Sequence, residues 1–454
     1  MEVLAFDMAG LGDRTYVVVL EDTAVVIDPQ RDFDRFLVAA DQRRATVRAV
    51  LETHVHNDYV SGAPGLAATT GAELVLPAGA GAAFRFLPAF HNEDLTVGGL
   101  VFRPLHTPGH TPEHVSYVVL VEDEPVAVFS GGSLLVGTAG RTDLLGAERA
   151  ESLALLQFGS IGRIAALRDT VALHPTHGPG SFCSVSAAGG ATSSIGAERA
   201  SNPLLAIGDG EAFARSLLAG LQPYPAYYRH IGPINLAGAG PLPEDAVSRL
   251  DPATVAGLVE RGVAVVDARP RHVVATGRIP GSWAIEMGDN LATWVGWLVR
   301  FAAPLVLVID DMDQVAPART ALARVGFTDV VGVLPGMDGW MAEGRPVTTH
   351  EMVEASTVAG ILTGDDQVVD VRTAGEWEEG HLDGSIHRYL PYLAEELPSG
   401  LDRHRPVYVA CESGRRAATA AALLADAGYR PVVVTGGGIP EIVQAAPTAA
   451  PPAR

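Results

Sequence analysis

One cysteine lies where a strand meets a helix. In RPVYVACESGRRAATAAALLADAG, a buried strand is predicted to end at Ala410, and a helix rich in Ala and Leu to start near Ala417. The loop between them consists of Cys411, Glu412, Ser413, Gly414, Arg415 and Arg416. Loop N–H groups, the positive end of the helix dipole and two arginines all favour a thiolate over a thiol. The pattern predicts a nucleophile that attacks a sulfane sulfur and holds it as a persulfide.

Histidines form a second set of candidate functional residues, nearer the N-terminus of the chain. THVHNDY places His54 and His56 two residues apart at the end of a predicted strand, and Asp58 follows them. HTPGHTPEH and HPTHGPGS add His110 and His177 on later loops. Two histidines at a strand end can reach one metal ion, and histidines from distant loops can complete its shell. We therefore predict these five residues as metal ligands, for Zn²⁺ or Fe²⁺.

An internal repeat of about 100 residues contains the cysteine loop. VAVVDARP, at Asp267, matches QVVDVRTA, at Asp370, and GRIPGS matches GHLDGS at the same separation of 103 residues. Each copy alternates strand and helix, which predicts a mainly parallel sheet covered by helices.

The first copy of the repeat lacks the thiol. Where the second copy has its cysteine loop, the first reads Asp310, Asp311, Met312 and Asp313. Three carboxylates repel an anion, so we interpret this copy as a structural or docking module.

The second copy resembles the rhodanese family. Its loop fits the pattern Cys-x-x-Gly-x-Arg, and DVR, EWEEGHLDGS and the later GGG also match. The resemblance covers both repeats and implies a sulfurtransferase that needs no cofactor at this site. Phosphatases on the same scaffold have a wider loop with an arginine at the position of Ala417, so that alternative is disfavoured.

Glu412 departs from the many rhodaneses that have a basic or neutral residue there. Its charge opposes the binding of a dianion such as thiosulfate. We therefore expect a low-molecular-weight persulfide or a protein persulfide as the sulfur donor.

The histidine motifs resemble the metallo-β-lactamase fold, most closely its glyoxalase II and persulfide dioxygenase branches. Joined to two rhodanese repeats, the whole chain resembles the fused persulfide dioxygenase–sulfurtransferases. The resemblance implies metal ligation by His54 and His110 and by an aspartate after FSG. This chain has Gly132 at the aspartate position, and Tyr59 where the family has a further histidine.

The two departures predict an altered metal site. His54, His56 and His110 can hold Zn²⁺ or Fe²⁺, with Asp58 and His177 nearby, but they do not form the two-histidine-one-carboxylate set of non-heme iron oxygenases. We expect a degenerate or weakly metallated site, and a bound catalytic iron is the alternative. Cys183 in GPGSFCS follows His177, where related fusions have a cysteine near the metal pocket. We favour a buried hydrophobic role for it over a persulfide-carrying one.

The domain organisation follows from these patterns and from a Gly/Pro-rich boundary, GPINLAGAGPLPED. We predict a metallo-β-lactamase αββα sandwich over 1–240, a rhodanese-like repeat without cysteine over 248–349 and a catalytic rhodanese domain over 350–446. Residues 447–454 are predicted to be a disordered tail. Both rhodanese-like parts are expected to be α/β domains with parallel sheets.

Composition limits the partners. The formal net charge of −21 repels nucleic acid and anionic lipid, so we expect neither as a partner. Two cysteines in 454 residues indicate a reducing compartment, and the N-terminus shows no signal-peptide pattern, so we expect a cytoplasmic protein. The expected partners are a small-molecule persulfide, thiosulfate or thiol and a protein sulfur acceptor, and the fold resemblance implies a homo-oligomer.

Three functions remain open at this stage. In the first, Cys411 transfers sulfur and the N-terminal metal site is degenerate. In the second, both halves are active, as a persulfide dioxygenase and a sulfurtransferase. In the third, the chain is a non-enzymatic sulfur carrier or sensor. A thioester hydrolase is disfavoured, because Gly132 removes the ligand that bridges two metals.

Overall fold

The computed structural model describes residues 1–8, 10–185, 189–242, 246–362 and 365–445. The predicted tail over 447–454 lies outside these residues. The chain divides into two compact units, Met1–Glu244 with Thr320–Thr328, and Asp245–Arg319 with Asp329–Arg454. The second repeat falls in the second unit, and so does the first repeat apart from residues 320–328, which group with the first unit. The three predicted domain boundaries stay a prediction.

The first unit is built from two six-stranded sheets. The strands of the first sheet, in spatial order, are β1 (Glu2–Met8), β2 (Asp13–Leu20), β3 (Thr23–Ile27), β4 (Thr46–Leu51), β5 (Glu73–Pro77) and β6 (Leu87–Ala89). In chain order the next strands are β7 (Leu95–Val97), β8 (Leu100–His106), β9 (Val115–Val121), β10 (Glu124–Gly131), β11 (Leu134–Leu135), β12 (Thr138–Ala139), β13 (Ala172–Pro175) and β14 (Ser193–Ser194). The second sheet has the order β14-β13-β10-β9-β8-β7, and β11 pairs with β12.

Helices cover the outer faces of this sandwich. They are α1 (Asp34–Gln42), α2 (Ala63–Thr70), α3 (Ala147–Ala165), α4 (Ile195–Ser201), α5 (Gly210–Ala219) and α6 (Tyr228–Ala237). In β2 the alternation of the strand sends Tyr16 into the core between the sheets, with Phe102 and Phe129 of the second sheet. Its neighbour Val17 points to the other face, where it packs with Phe36 of α1. The predicted αββα sandwich is confirmed.

Local sequence features account for several elements of this unit. The hairpin of β2 and β3 turns at Glu21 and Asp22, and Glu21 has the positive φ of 54° that suits a tight turn. In α3 the buried residues Leu153, Ala154, Ile161 and Ile164 recur at helical spacing. A segment that contains Pro223 and Pro225 separates α5 from α6.

The second unit contains the two repeats except for residues 320–328. Its remaining strands are β15 (Ala264–Asp267), β16 (Trp283–Ala284), β17 (Leu305–Ile309), β18 (Val330–Pro335), β19 (Glu351–Glu354), β20 (Gln367–Asp370), β21 (Ile386–His387), β22 (Pro406–Ala410) and β23 (Arg430–Thr435). The remaining helices of the chain are α7 (Pro252–Glu260), α8 (Arg271–Thr276), α9 (Leu291–Leu298), α10 (Val315–Arg324), α11 (Asp338–Ala342), α12 (Ala355–Ile361), α13 (Ala374–Glu379), α14 (Leu390–Glu395), α15 (Arg415–Asp426) and α16 (Ile439–Ala445).

The two repeats have the same sheet topology. The first has the strand order β16-β15-β17-β18, and the second has β21-β20-β22-β23 with β19 added at its edge. Every strand pair in both sheets is parallel. The predicted parallel α/β architecture is confirmed for both copies.

The same buried ion pair lies at the end of β15 in the first repeat and at the end of β20 in the second. Arg269 contacts Asp267 at 2.7 Å and donates to the carbonyl of Gly277 at 2.7 Å. In the second copy Arg372 contacts Asp370 at 2.7 Å and donates to the backbone eight residues further on. The Asp-x-Arg motif thus fixes the connection that follows each strand.

Within the described residues, the chain has no helix that is both long and apolar enough to cross a membrane.

Arg278 joins the two repeats inside the second unit. Its fully buried guanidinium donates to the carbonyl of Ala422 at 2.6 Å and contacts Asp426 at 2.7 Å. Arg278→Met removes these contacts and leaves buried carbonyl groups unpaired. We expect a loss of about 2–4 kcal/mol in the free energy of unfolding of this unit.

Urea unfolding followed by tryptophan fluorescence measures this loss, because all five tryptophans of the chain lie in the second unit. Arg261→Met, at an exposed arginine, is the control and should stay within about 0.5 kcal/mol of the parent. Equal stability of the Arg278 variant and the control would contradict the role given to Arg278.

Candidate functional site

Cys411 lies directly after β22 and is almost fully buried, with 1% of its surface exposed. The backbone N–H of Gly414 points back at the cysteine and donates to its Sγ at 3.1 Å. Gly414 has a φ of 84°, a left-handed conformation that suits glycine and turns the chain into α15. The first N–H groups of a helix have no acceptor in the helix itself. The sulfur therefore sits at the donor-rich, positive end of α15.

A glycine turn supports the cysteine loop from behind. The turn follows β23 and consists of Gly436, Gly437 and Gly438. The N–H of Ile439 donates to the carbonyl of Cys411 at 3.0 Å. A Cβ at position 438 would lie 2.0 Å from that carbonyl oxygen and 2.4 Å from the carbonyl oxygen of Glu412. Only glycine lets these two backbone segments approach so closely.

Both arginines of the loop lie in the helix, which corrects the predicted start near Ala417. The left-handed Gly414 ends the loop, so α15 begins at Arg415. Arg416 makes a bidentate pair with Glu376, at 2.7 and 2.6 Å. Burial raises the pKa of Glu376. The hydrogen bonds from Arg416 outweigh this effect and lower the pKa of Glu376 to about 2.

Both repeats line the cavity in front of the loop. From the second repeat come Glu412, Ser413, Arg415 and Arg416, together with Thr419. The first repeat contributes Glu286, Asn290 and Trp294. The Glu286 carboxylate lies 3.7 Å from the Nε atom of Arg415 and 2.6 Å from Arg271. The repeat without a cysteine therefore supplies one wall of the site.

The acidic loop of the first repeat lies at the corresponding end of β17. It runs from Asp310 through Asp311, Met312 and Asp313, and the Asp311 carboxylate accepts from the N–H of Asp313 at 3.0 Å. No thiol or glycine turn of the second-repeat type stands there in the sequence.

Three of the five predicted metal ligands converge in the first unit. One ring nitrogen from each of His54, His110 and His177 lies within 4.8 Å of the other two, and all three rings are buried. His54 follows β4, His110 lies between β8 and β9, and His177 follows β13. The sandwich thus brings three strand-end loops together at one edge.

Carboxylates surround His177. Its Nδ1 atom lies 2.8 Å from Asp13 and 3.2 Å from Asp58. Burial lowers the pKa of His177, but the charges of Asp58 and Asp13 outweigh it and raise that pKa to about 9. Burial, followed by the charge of His177, lowers the pKa of His110 to about 3. The carboxylates therefore favour the protonated form of the His177 ring, and burial favours a neutral ring at His110.

His56 faces a different set of groups. Its Nε2 atom lies 2.9 Å from Glu52, 3.2 Å from Asp28 and 2.9 Å from the hydroxyl of Tyr59. His56, Asp58 and His177 form a second group of side chains that could hold a metal ion, and the Nδ1 atom of His56 faces Asp58. Tyr59, which replaces the family's histidine, therefore acts as a hydrogen-bond partner of His56.

The comparisons with known proteins match both halves of the chain. The metallo-beta-lactamase superfamily matches residues 11–177, and the rhodanese-like domain matches residues 354–445. The chain joins a metallo-beta-lactamase domain to a rhodanese-like domain. The second match includes Cys411 and the glycine turn, and the first includes all five predicted metal ligands.

The similar proteins agree with this assignment. A hydroxyacylglutathione hydrolase of Pseudomonas entomophila (strain L48) is 32% identical over 130 residues, which are 28% of this chain and 50% of that protein. Its counterpart in Pseudomonas aeruginosa (strain LESB58) is 30% identical over 168 residues, 36% of this chain and 61% of that protein. The chain therefore spans between half and about three fifths of the length of these curated relatives.

Two solved structures are also similar to this chain. The crystal structure of a metallo-beta-lactamase from Staphylococcus aureus subsp. aureus COL covers 73% of this chain and 98% of that chain, at 27% identity and a TM-score of 0.68. That of ETHE1 from Myxococcus xanthus covers 52% of this chain and 99% of that chain, at 29% identity and a TM-score of 0.46.

Several residues of this site in the metallo-beta-lactamase domain were not among those predicted from the sequence. His114 accepts from the N–H of Gly132 at 2.9 Å, at the position where an aspartate was expected. It stands in the quoted motif HTPGHTPEH, which was the available signal. Asp13 gave no signal, because it lies 164 residues from the histidine it contacts.

Cys183 is buried in the same domain. Its Sγ donates to Asp58 at 3.4 Å, and 1% of the residue is exposed. Burial, followed by the charge of Asp58, raises the pKa of the thiol well above its usual value. These surroundings keep Cys183 protonated, which suits a buried structural role better than a nucleophilic one.

Gly438→Ala tests the support of the rhodanese loop. The added methyl group must push the Cys411 and Glu412 carbonyls away, and the Gly414 contact moves with them. We expect sulfur transfer to fall at least about tenfold, equal to about 1.4 kcal/mol of transition-state stabilisation, in a chain that still folds. Thiocyanate formation and circular dichroism measure the two effects. The control is Gly360→Ala in α12, where a Cβ meets no atom within 4 Å. Equal sulfur-transfer activity in the two variants would refute the role given to the close approach of Gly438 to the Cys411 and Glu412 carbonyls.

Proposed function

We propose that the chain is a sulfurtransferase that carries sulfane sulfur as a persulfide on Cys411. The observation that carries the proposal is the Gly414 N–H, which donates to the Cys411 sulfur at 3.1 Å. An N–H donor stabilises a sulfur anion better than a neutral thiol, and the helix terminus adds its positive end. The same donors stabilise the charge of the persulfide product.

The reaction exchanges one sulfur–sulfur bond for another. The Cys411 thiolate attacks the outer sulfur of the donor, the S–S bond of the donor breaks, and the donor leaves as a thiolate. The acceptor nucleophile then attacks the outer sulfur of Cys411–S–S⁻ and restores the thiolate. No electrons are gained or lost overall, so the site needs no redox cofactor.

The charges of the cavity support a persulfide as the donor. Glu412 is exposed, and it lines the cavity together with Glu286 of the first repeat. Arg415 and Arg416 each have an acidic partner, which reduces the positive field available to a dianion. We therefore propose a thiol persulfide, of low molecular weight or on a protein, ahead of thiosulfate.

A second candidate function keeps metal chemistry in the metallo-beta-lactamase domain. The convergence of His54, His110 and His177 favours it over a site that has lost its ligands entirely. Iron content together with oxygen uptake on glutathione persulfide distinguishes a bifunctional persulfide dioxygenase–sulfurtransferase from a sulfurtransferase alone. Cyanide-dependent thiocyanate formation distinguishes both from a carrier or sensor without turnover.

Cys411→Ser tests the proposed nucleophile. A serine hydroxyl has no sulfur to hold, so we expect transfer to fall at least about a thousandfold. Mass spectrometry of the protein after incubation with glutathione persulfide should find one added sulfur on Cys411 and none in the variant. Cys183→Ser is the matched control and should load like the parent. Sulfur found on Cys183 alone would refute the assignment.

Glu412→Gln tests the substrate preference. Removing the charge of Glu412 weakens the repulsion of thiosulfate, and we expect its KM to fall about two- to fivefold, with little change for a neutral donor. Steady-state kinetics with both donors measures the difference. Glu395→Gln, at an exposed position of α14, is the control. An unchanged KM for thiosulfate would show that Glu412 does not select the donor.

A further inference from the structure

The two arginines of the cysteine loop differ in how far their N–H groups are already used. Arg416 is mostly buried and makes its bidentate pair with Glu376. Arg415 has 49% of its side chain exposed and lines the cavity in front of the loop. Within the described residues its guanidinium donates no hydrogen bond, and its ion-pair contact with Glu286 is at 3.7 Å. Arg415 therefore keeps its donors for a group that enters the cavity.

The first repeat holds this guanidinium in place. The Nε atom of Arg415 faces the carboxylate of Glu286, and an added Cβ on Gly288 would come within 3.2 Å of its Nη1 atom. Glu286 accepts a hydrogen bond from Arg271 at 2.6 Å, so this pair cancels its own charge and leaves the charge of Arg415 in excess. A guanidinium held in a fixed orientation suits a planar carboxylate, which it binds through two parallel hydrogen bonds.

Glu412 gives the same cavity a negative charge without a partner. Its carboxylate is exposed, and in the part of the chain that the structure describes it accepts no hydrogen bond and makes no ion pair. The other charged residues of the lining, Glu286 and Arg416, each have a close partner of opposite sign. A ligand with both a carboxylate and an ammonium group matches Arg415 and Glu412 together, whereas a dianion matches only Arg415.

The remaining lining suits a short carbon chain. Trp294 of the first repeat is half-buried against the core of the second repeat and gives the cavity an apolar wall. Ser413 and Asn290 add a hydroxyl and an amide group. Because only 1% of Cys411 is exposed, its sulfur is more accessible to a donor that enters the cavity than to a cysteine on the surface of a protein.

We propose that the sulfur donor of Cys411 is the persulfide of a small amino-acid thiol, whose carboxylate binds Arg415 and whose ammonium group faces Glu412. The proposal rests on the sulfurtransferase function and narrows its donor. In the transfer, the Cys411 thiolate attacks the outer sulfur of R–S–SH and the S–S bond of the donor breaks. The amino-acid thiol leaves as a thiolate, and the sulfur stays on Cys411 as a persulfide. Glu286 is the positioning residue of Arg415.

Four donors that differ in their charged groups test this proposal on the full-length protein. They are the persulfides of cysteine (both groups), 3-mercaptopropionate (carboxylate only), cysteamine (ammonium only) and 2-mercaptoethanol (neither). Rapid-quench mass spectrometry follows the loading of Cys411 and gives the half-saturating donor concentration and the maximum rate. In the parent, cysteine persulfide should have the lowest half-saturating concentration of the four.

Arg415→Gln removes the proposed carboxylate contact. We expect the half-saturating concentration to rise about tenfold for the cysteine and 3-mercaptopropionate donors, with little change in the maximum rate. The other two donors should load like the parent. Arg415→Lys keeps the charge without the planar fork and should recover part of the loss, to within about threefold of the parent. Arg430→Gln is the control, at the exposed start of β23 and at the opposite end of that strand from the glycine turn.

Glu412→Gln tests the ammonium contact. The half-saturating concentration of cysteamine persulfide should rise about two- to fivefold, because the charge that attracts its ammonium group is gone. An unchanged value for this donor would remove Glu412 from the proposal.

Circular dichroism checks the fold of each variant, and the donor ranking of the parent keeps the test decisive if Arg415→Gln does not fold. The proposal is overturned if Arg415→Gln takes the carboxylate donors like the parent. It is also overturned if all four donors weaken equally, the result of a merely structural role, or if the parent does not favour cysteine persulfide. A parent that no donor loads at Cys411 would contradict the sulfurtransferase function itself, whereas a parent loaded equally well by all four contradicts only the donor assignment.

Discussion

The geometry of the rhodanese site depends on one close approach between two backbone segments. The turn at Gly438 lies against the carbonyls of Cys411 and Glu412, with no room for a side chain. This contact holds the loop so that the Gly414 N–H meets the cysteine sulfur. The parallel sheet places both segments at the carboxyl ends of neighbouring strands, where loops of α/β folds bind ligands. The fold thus places the sulfur chemistry at the carboxyl ends of β22 and β23.

The two repeats share a topology but differ in their role at this site. Both have the same strand order and the same buried Asp-x-Arg pair, so the scaffold does not depend on the cysteine. The first repeat has carboxylates where the second has its sulfur loop, and it contributes Glu286 and Trp294 to the wall of the cavity. A copy without catalytic residues can therefore still influence which donor reaches Cys411.

The sequence predicted what depends on local pattern. The sandwich, the repeat and the cysteine loop follow from alternation, spacing and glycine positions that lie close together in the chain. It missed what depends on distant partners: Glu376 pairs with Arg416 across 40 residues, and Asp13 contacts His177 across 164. The helix start was placed two residues late, because the left-handed Gly414 caps α15 in a way that residue propensity does not show.

The most direct test of the account is a crystal structure of the protein after exposure to a thiol persulfide. We expect electron density for one additional sulfur bonded to Cys411 Sγ and directed into the cavity, with the Gly414 N–H still in contact with the cysteine. An unmodified Cys411, or an added sulfur on Cys183 in its place, would contradict it.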